Sequence, residues 1–306
     1  MKLATTTEDF HDYAETPAQA VDLIGRTPFR YVDLTLPHAY MTEEWEKTAD
    51  ACGEAAARRG LTFVQAHAYD FGADAEGHIS HLPQLERAIL TCRRLGIPQV
   101  VIHAQWNFQL HYAKGDPENM RAFNEYNRGL YRQLFPIMEK TGVSVLVENS
   151  CESNLGDTCY YMTGEELAAF LDWVDHPLLA AVWDTGHAIA RRNDLYKDLT
   201  ALRRHLRGLH VHDNRGRADE HLPPFMGAGD MDALMAGLRD CGYQGYFTFE
   251  SFQCPLPDFC RTAAVKPDTS RPLLLRKPPL EIKLQVEQLL WDIGRYMLTE
   301  YGVFEE

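Results

Sequence analysis

The chain has 306 residues, of which 45% are hydrophobic and 11% aromatic, enough to build a substantial core. That length permits one large α/β barrel or two ordinary domains and argues against extensive disorder. The formal net charge of −14 disfavours nucleic acid as a main partner, because contact with phosphates needs clustered Lys and Arg.

The sequence gives no sign of a membrane or secretory segment. No apolar run approaches the roughly 20 residues that cross a bilayer, and the N-terminal stretch MKLATTTEDFHDYAE lacks the apolar core of a signal peptide. The seven cysteines contain no CxxC pair, which predicts reduced thiols instead of a disulfide framework or a zinc knot. We therefore expect a cytoplasmic protein without membrane contacts.

Short segments with β-strand character recur along the chain and alternate with helical ones. Strands are predicted at 2–7, 30–36, 61–68, 99–104, 143–149, 179–185, 208–213 and 246–251. Their apolar stretches mostly do not alternate strictly, which favours strands that are covered on both faces, as in parallel sheets.

Apolar residues at helical spacing fill several of the intervening segments. Helices are predicted at PAQAVDLIG (17–25), HLPQLERAILTCRRLG (81–96), MRAFNEYNRGLYRQLFPIMEKTG (120–142) and GEELAAFLDWVD (164–175). Eight strands that alternate with helices predict an α/β (β/α)8 TIM barrel, with residues 1–306 as a single domain. A doubly wound open sheet is the alternative, weakened because no Gly-rich phosphate loop follows the first strand.

One segment departs from this alternation. Residues 252–279 follow the last predicted strand and are rich in proline and locally basic. In a barrel this insertion would lie beside the mouth at the carboxyl ends of the strands. A lid, a subunit contact and an ordinary loop all fit its composition.

Titratable residues gather at the carboxyl ends of the predicted strands, where barrel enzymes carry out their chemistry. A ring of carboxylates and imidazoles would repel itself unless a cation compensated it. Three carboxylates and one histidine suit Mn²⁺, Mg²⁺ or Co²⁺, and they tolerate Zn²⁺. The residues are His67, His103, Glu148, Asp184, His187, His210 and Glu250, joined from the loop after the seventh strand by Asp219 and His221.

Not every member of this ring carries the same weight. A lone histidine at a strand end, such as His67, is more often a satisfied rim residue than a ligand. A glutamate among apolar strand residues, such as Glu148 or Glu250, is harder to explain as structure, because a buried acid needs a partner. His212 is predicted to be structural.

Several motifs carry a resemblance to a known family. They are the Glu of VENS, DTGH, HVHDN, DEHLPP followed by GAGDMD, and the Glu of FES. The sequence resembles the xylose isomerase-like TIM-barrel superfamily over nearly its whole length. That superfamily includes sugar isomerases, ketose 3-epimerases, inosose dehydratases and apurinic endonucleases of the endonuclease IV type.

The resemblance to ketose epimerases implies a set of roles. One divalent metal would be held by Glu148, Asp184, His210 and Glu250, and the two glutamates would exchange the substrate proton. His187 and Arg215 would bind substrate oxygen, with Arg217 as a rival for the second role. The endonuclease IV type implies a fuller set of ligands. The additional residues, which could hold a second metal or survive as substrate-binding groups, are His67, His103, His187, Asp219 and His221.

The sequence therefore predicts a metal-dependent isomerase or epimerase that acts on a sugar or sugar derivative through an enediolate. Trp106 could cover the apolar face of the sugar together with Phe108, although simple packing would explain this pair equally well. A polyol or inosose dehydratase, a phosphodiester-cleaving endonuclease and a non-enzymatic binding module remain as alternatives. The identity of the sugar, its phosphorylation and the choice between a homodimer and a homotetramer stay open.

Overall fold

The chain forms a barrel of eight parallel strands. The computed structural model describes residues 1–36, 42–68, 82–105, 116–151, 161–251 and 277–306. Hydrogen-bonded neighbours run in the order β7-β6-β5-β4-β3-β2-β1-β8, which confirms the predicted (β/α)8 fold. The strands are β1 (Lys2–Thr6), β2 (Tyr31–Leu36), β3 (Thr62–Ala68), β4 (Gln99–Val101), β5 (Ser144–Glu148), β6 (Leu179–Asp184), β7 (Leu206–His210) and β8 (Tyr246–Phe249).

A single bridge brings the last two strands together and nearly closes the barrel. Val211, just beyond β7, pairs with Phe249 of β8. The Val211 amide donates to the Thr248 carbonyl at 2.8 Å, and the Glu250 amide donates to the Val211 carbonyl at 3.1 Å. Because this bridge lies at the carboxyl ends of both strands, it brings His210 and Glu250 to the same rim of the barrel.

Helices surround the strands and cover their outer faces. All four helices predicted from apolar spacing are present, with ends shifted by a few residues. The α-helices are α1 (Pro17–Ile24), α2 (Trp45–Arg59), α3 (Leu82–Leu95), α4 (Pro117–Thr141), α5 (Gly164–Val174), α6 (Thr185–Ala190), α7 (Leu195–Leu202), α8 (Met231–Cys241) and α9 (Leu280–Glu300); short 3-10 helices span Thr7–Tyr13 and Arg203–His205.

The core lies on both sides of the strands, as their composition predicts. Every residue of β5 and β6 is buried. Within the barrel a small apolar cluster is separate from the larger core under the helices. The acids that end β5 and β6 therefore emerge directly above apolar layers, where burial of a charge needs a compensating partner. The interior cluster consists of Val101, Leu146, Ala180 and Val182.

The predicted insertion at 252–279 lies outside the described residues except for its last three. Two of those three contact the 3-10 helix after β1: Tyr13 Oη donates to the Pro278 carbonyl at 3.0 Å, and Lys277 Nζ donates to the Asp12 carbonyl. Within the described part of the chain, no helix is long and apolar enough to cross a membrane.

A buried ionic cluster ties α9 to the start of the barrel. Lys283 of α9 is fully buried, and its Nζ lies 2.7 Å from Asp9 Oδ1 and 2.9 Å from Glu287 Oε1. Thr5 Oγ1 is within 3.1 Å of Glu287 Oε2 and 3.3 Å of Asp9 Oδ2. Burial and the neighbouring Asp9 carboxylate raise the pKa of Glu287 to about 7, because one lysine cannot fully compensate two buried carboxylates.

This cluster predicts how stability depends on pH. The folded-state pKa of Glu287 lies above its ordinary value of 4.5. Its contribution is therefore fully present below pH 4.5 and is lost as the pH rises through about 7. Glu287→Gln, which keeps the side-chain shape, should reduce the fall in unfolding free energy between pH 4.5 and 8 by roughly 2 to 3 kcal/mol. Urea unfolding across that range measures it, with the exposed Glu139→Gln as control; an unchanged pH slope in Glu287→Gln would contradict the assignment.

Candidate metal centre

Four residues at the mouth of the barrel converge on one point. Glu148 ends β5, Asp184 ends β6, His210 ends β7 and Glu250 follows β8. One ligand atom from each lies within 4.8 Å of the others. All four are buried, and none is more than 7% exposed. Since three carboxylates and an imidazole form a donor set for a divalent cation, these residues fit the ion that the sequence predicts.

Neighbouring groups hold His210 in the orientation of a ligand. Its Nε2 lies 3.1 Å from Asp33 Oδ2, and Gln65 Nε2 donates to the same oxygen at 2.5 Å. That contact leaves Nδ1 facing the site, 2.9 Å from Glu148 Oε1 and 3.6 Å from Glu250 Oε2. A carboxylate on the far nitrogen fixes the ring and raises its basicity, as is usual for histidines that bind metals.

Asp184 is fixed by the start of helix α6. Its Oδ1 accepts the His187 amide at 2.6 Å and so caps the helix. The Asn149 side chain clamps the backbone of the same residue, accepting from the Asp184 amide at 2.6 Å and donating to the Asp184 carbonyl at 2.8 Å. The carboxylate therefore projects from a rigid turn between β6 and α6.

The charges of the imidazoles and the carboxylates in this group compensate each other. Burial alone would raise the pKa of Glu148, but the imidazoles of His210 and His103 hold it well below its ordinary range. Burial would likewise lower the pKa of His210, and the carboxylates of Glu250 and Glu148 raise it well above the usual value. Carboxylates and imidazoles in this group therefore stabilise each other's charged forms.

A second group adjoins the first through Glu148. The Nε2 atoms of His67 and His103 are 2.9 Å apart, and His103 Nε2 lies 2.7 Å from Glu148 Oε2. His67 also reaches the other glutamate, with Nδ1 3.6 Å from Glu250 Oε1. The three residues His67, His103 and Glu148 therefore form another donor set with ligand spacing.

A third group brings together the two residues predicted for a second metal. Nε2 of His221 lies 3.0 Å from Asp219 Oδ2, and Nε2 of His187 lies 3.4 Å from the same oxygen. Backbone carbonyls engage both rings from behind, Asn149 O at 2.9 Å for His187 and Glu250 O at 2.7 Å for His221. Burial would lower the pKa of His221, but the Asp219 carboxylate raises it to about 9.

The remaining predicted residues lie apart from these groups or outside the described chain. Arg215 is 47% exposed, and its Nη1 donates to Glu220 Oε1 at 2.5 Å. Glu220 also accepts the Arg215 backbone amide at 2.8 Å. Trp106 and Phe108 lie outside the described residues. The substrate-binding roles predicted for Arg215, Trp106, His187, His67 and His103 stay predictions.

Sequence reasoning missed three buried polar residues that support these groups, and it named a fourth, His212, only as structural. Asp33 and Gln65 hold His210, Asn149 holds Asp184, and His212 contacts Asp184 from the opposite side. A signal existed for Asp33, because an acid in the middle of the apolar stretch YVDLTL is as unusual as Glu148 in VLVEN. No comparable signal existed for Gln65 or Asn149, because neutral polar residues are common at strand ends.

The protein is therefore a parallel eight-stranded barrel with a buried polar site at the carboxyl ends of its strands. The sequence model of the xylose isomerase-like TIM barrel matches residues 14–265. Because this match covers most of the chain, the protein belongs to the xylose isomerase-like TIM-barrel family. A comparison with curated protein sequences finds no match.

Several solved structures share the fold. D-psicose 3-epimerase from Clostridium cellulolyticum H10, solved with D-tagatose, has a TM-score of 0.74 and 16% identity, with 97% of this chain and 99% of that chain covered. The IolI protein with a bound zinc atom has a TM-score of 0.75 and 16% identity, with 99% and 100% covered. The 3-keto-D-glucoside 4-epimerase YcjR from E. coli has a TM-score of 0.64 and 19% identity, with 82% and 91% covered. At these identities the likeness shows a common fold.

The geometry predicts that a divalent cation stabilises the folded protein. At about 100 times its dissociation constant, Mn²⁺ should raise the unfolding free energy by about 2.7 kcal/mol, because it binds only the folded chain. Asp184→Asn should abolish most of that gain, whereas the surface replacement Asp172→Asn should keep it. Thermal unfolding after removal of metal with a chelator and re-addition of Mn²⁺ measures the effect. An equal gain in Asp184→Asn and the parent would place binding elsewhere.

Proposed function

We propose that the protein is a divalent-metal-dependent isomerase or epimerase of a sugar or sugar derivative, acting by proton transfer through an enediolate. The observation that carries this proposal is the four-residue group, in which two glutamates from β5 and β8 flank one point of convergence. The cation would be held by Glu148, Asp184, His210 and Glu250. When bound there, it would supply stabilisation of negative charge on neighbouring substrate oxygens.

The chain's own residues account for the movement of the proton. One glutamate carboxylate removes the proton from the carbon next to the carbonyl, and the electrons of the C–H bond form the enediolate. The other glutamate returns a proton to the opposite face of that carbon in an epimerase, or a proton is returned to the adjoining carbon in an isomerase. The lowered pKa values of Glu148 and Glu250 favour the base form, so either carboxylate can remove the proton; the other returns one to the opposite face only when it enters the turnover protonated.

The names of the structural neighbours support the same class of reaction. Two of the solved relatives are epimerases of sugars or keto-glycosides, and one holds zinc. A small-molecule sugar is accordingly the proposed substrate. A dehydratase would use the same proton abstraction and then lose a β-hydroxyl, so the products of a sugar or inosose panel separate the two reactions.

The proposal predicts a loss of turnover when Glu250 cannot take a proton. Glu250→Gln should keep the fold and lower turnover by about 100-fold to 10,000-fold, the range of general acid–base catalysis. The measurement is the rate of solvent-deuterium uptake by a panel of ketoses and aldoses in the presence of Mn²⁺. Glu139→Gln, which changes an exposed glutamate on α4, is the matched control and should exchange as fast as the parent.

Two results would contradict the proposed roles. Full activity in Glu250→Gln would exclude this carboxylate as a proton carrier. No deuterium uptake by any sugar in the metal-loaded parent would remove the support for an isomerase or epimerase.

A phosphodiesterase is the second candidate, because the second and third groups contain the additional ligands that the resemblance to the endonuclease IV type implies. Clustered cations can activate water and stabilise a leaving oxygen. The net charge of −14 weighs against a nucleic-acid substrate. The number of bound metal ions separates the two candidates, because an epimerase needs only the four-residue group.

The candidates predict different metal contents and activities. For the isomerase or epimerase, we expect about one ion per chain in protein purified without chelator, together with hydrogen exchange on a sugar. Elemental analysis checks this, and His221→Ala should leave the content near one. Two or three zinc ions per chain, reduced by His221→Ala, together with cleavage of an abasic-site oligonucleotide, would favour the phosphodiesterase instead.

A further inference from the structure

His212 is a fully buried polar side chain that the proposed mechanism does not use. Its ring is 0% exposed and lies directly behind the four-residue group. Nε2 lies 2.9 Å from Asp184 Oδ2 and 3.6 Å from Asp219 Oδ1. The residue therefore stands between a carboxylate of the four-residue group and the carboxylate of the third group.

Contacts on every side fix the position of this ring. Thr185 Oγ1 accepts the His212 amide at 3.0 Å and donates to the His212 carbonyl at 2.8 Å. The ring stacks on His221 with centroids 3.9 Å apart and 14° between the planes. A Cβ at Gly186 would come within 1.8 Å of the His212 ring, so the glycine of DTGH leaves the space that the ring fills.

The hydrogen bonds of His212 determine which nitrogen carries its proton. Among the described residues, Nδ1 has no hydrogen-bond partner. A proton on Nδ1 would be a buried unsatisfied donor, and it would leave the Nε2 lone pair facing the carboxylate oxygen of Asp184. A proton on Nε2 is instead donated to Asp184 Oδ2, 2.9 Å away. His212 is thus a donor aimed at one carboxylate oxygen.

We infer that His212 is a positioning residue that holds the Asp184 carboxylate in the orientation needed for metal binding. Asp184 Oδ1 accepts a hydrogen bond from the His187 amide at the start of α6, and His212 Nε2 lies 2.9 Å from Asp184 Oδ2. With both oxygens restrained, the carboxylate presents its remaining lone pairs to the cation in one orientation. Groups that restrain a ligating carboxylate in this way commonly contribute 10- to 100-fold in metal affinity.

The inference rests on the proposed metal site, and affinity for Mn²⁺ alone tests it without a substrate. His212→Leu introduces an apolar side chain of similar size and removes the Nε2 donor. His212→Gln restores a donor, because the glutamine amide nitrogen reaches about as far from the backbone as Nε2 of histidine. His212→Asn provides an amide that is too short to reach Asp184. The surface replacement His11→Leu is the matched control.

Isothermal titration of the metal-free proteins with Mn²⁺ should give a 10- to 100-fold weaker dissociation constant for His212→Leu and His212→Asn. We expect His212→Gln to stay within about 3-fold of the parent, and His11→Leu to match it. Chemical unfolding without metal identifies the variants that are folded. If His212→Leu does not fold, the comparison of His212→Asn with His212→Gln carries the test.

The outcomes separate this inference from the function on which it rests. A parent that binds no Mn²⁺ overturns both. A parent that binds Mn²⁺ while folded His212→Leu or His212→Asn binds it equally tightly overturns only the role of His212. Equal weakening in His212→Gln and His212→Asn would also overturn it, because the donor would then make no difference.

Discussion

Charge compensation among buried carboxylates and imidazoles is the constraint on which this site depends. Burial makes an isolated carboxylate costly, and the barrel mouth buries Glu148, Asp184 and Glu250 within a few ångströms of one another. Histidines from neighbouring strands and loops supply the opposite charge, as the raised pKa values of His210 and His187 indicate. The arrangement is stable only because every acid in it faces an imidazole or a backbone amide.

The register of the strands decides which of these side chains meet. Asp184 pairs with His210 across β6 and β7, and the bridge beyond β7 places Glu250 next to Val211. Shifts in register occur between Val32 and Asp33 on β2 and between Ala181 and Val182 on β6. The shift beside Asp33 lies next to the carboxylate that holds His210. Irregularities of this kind re-aim side chains close to functional sites.

The predictable part of this architecture is the part that depends on periodicity. Buried strands end at acids and histidines, so Glu148, Asp184, His210 and Glu250 could be placed on one rim from the sequence. The contacts between side chains of neighbouring strands could not be predicted from the sequence, because they depend on strand register and on ring orientation. His212 illustrates the difference: its contact with Asp184 follows from the pairing of β6 with β7 and from the space at Gly186, and neither can be read from the spacing of apolar residues.

The same chain neutralises buried carboxylates in two chemically different ways. Between α9 and β1, the ammonium of Lys283 contacts both Asp9 and Glu287. Burial alone would lower the pKa of Lys283, but the two carboxylates raise it further above neutrality. A cation of that kind does not give way to a metal at neutral pH. At the mouth of the barrel the compensating groups are imidazoles, which can lose a proton and become ligands themselves. That difference, more than the number of acids, distinguishes the ionic cluster that holds the fold together from the one that would exchange its protons for the proposed metal ion.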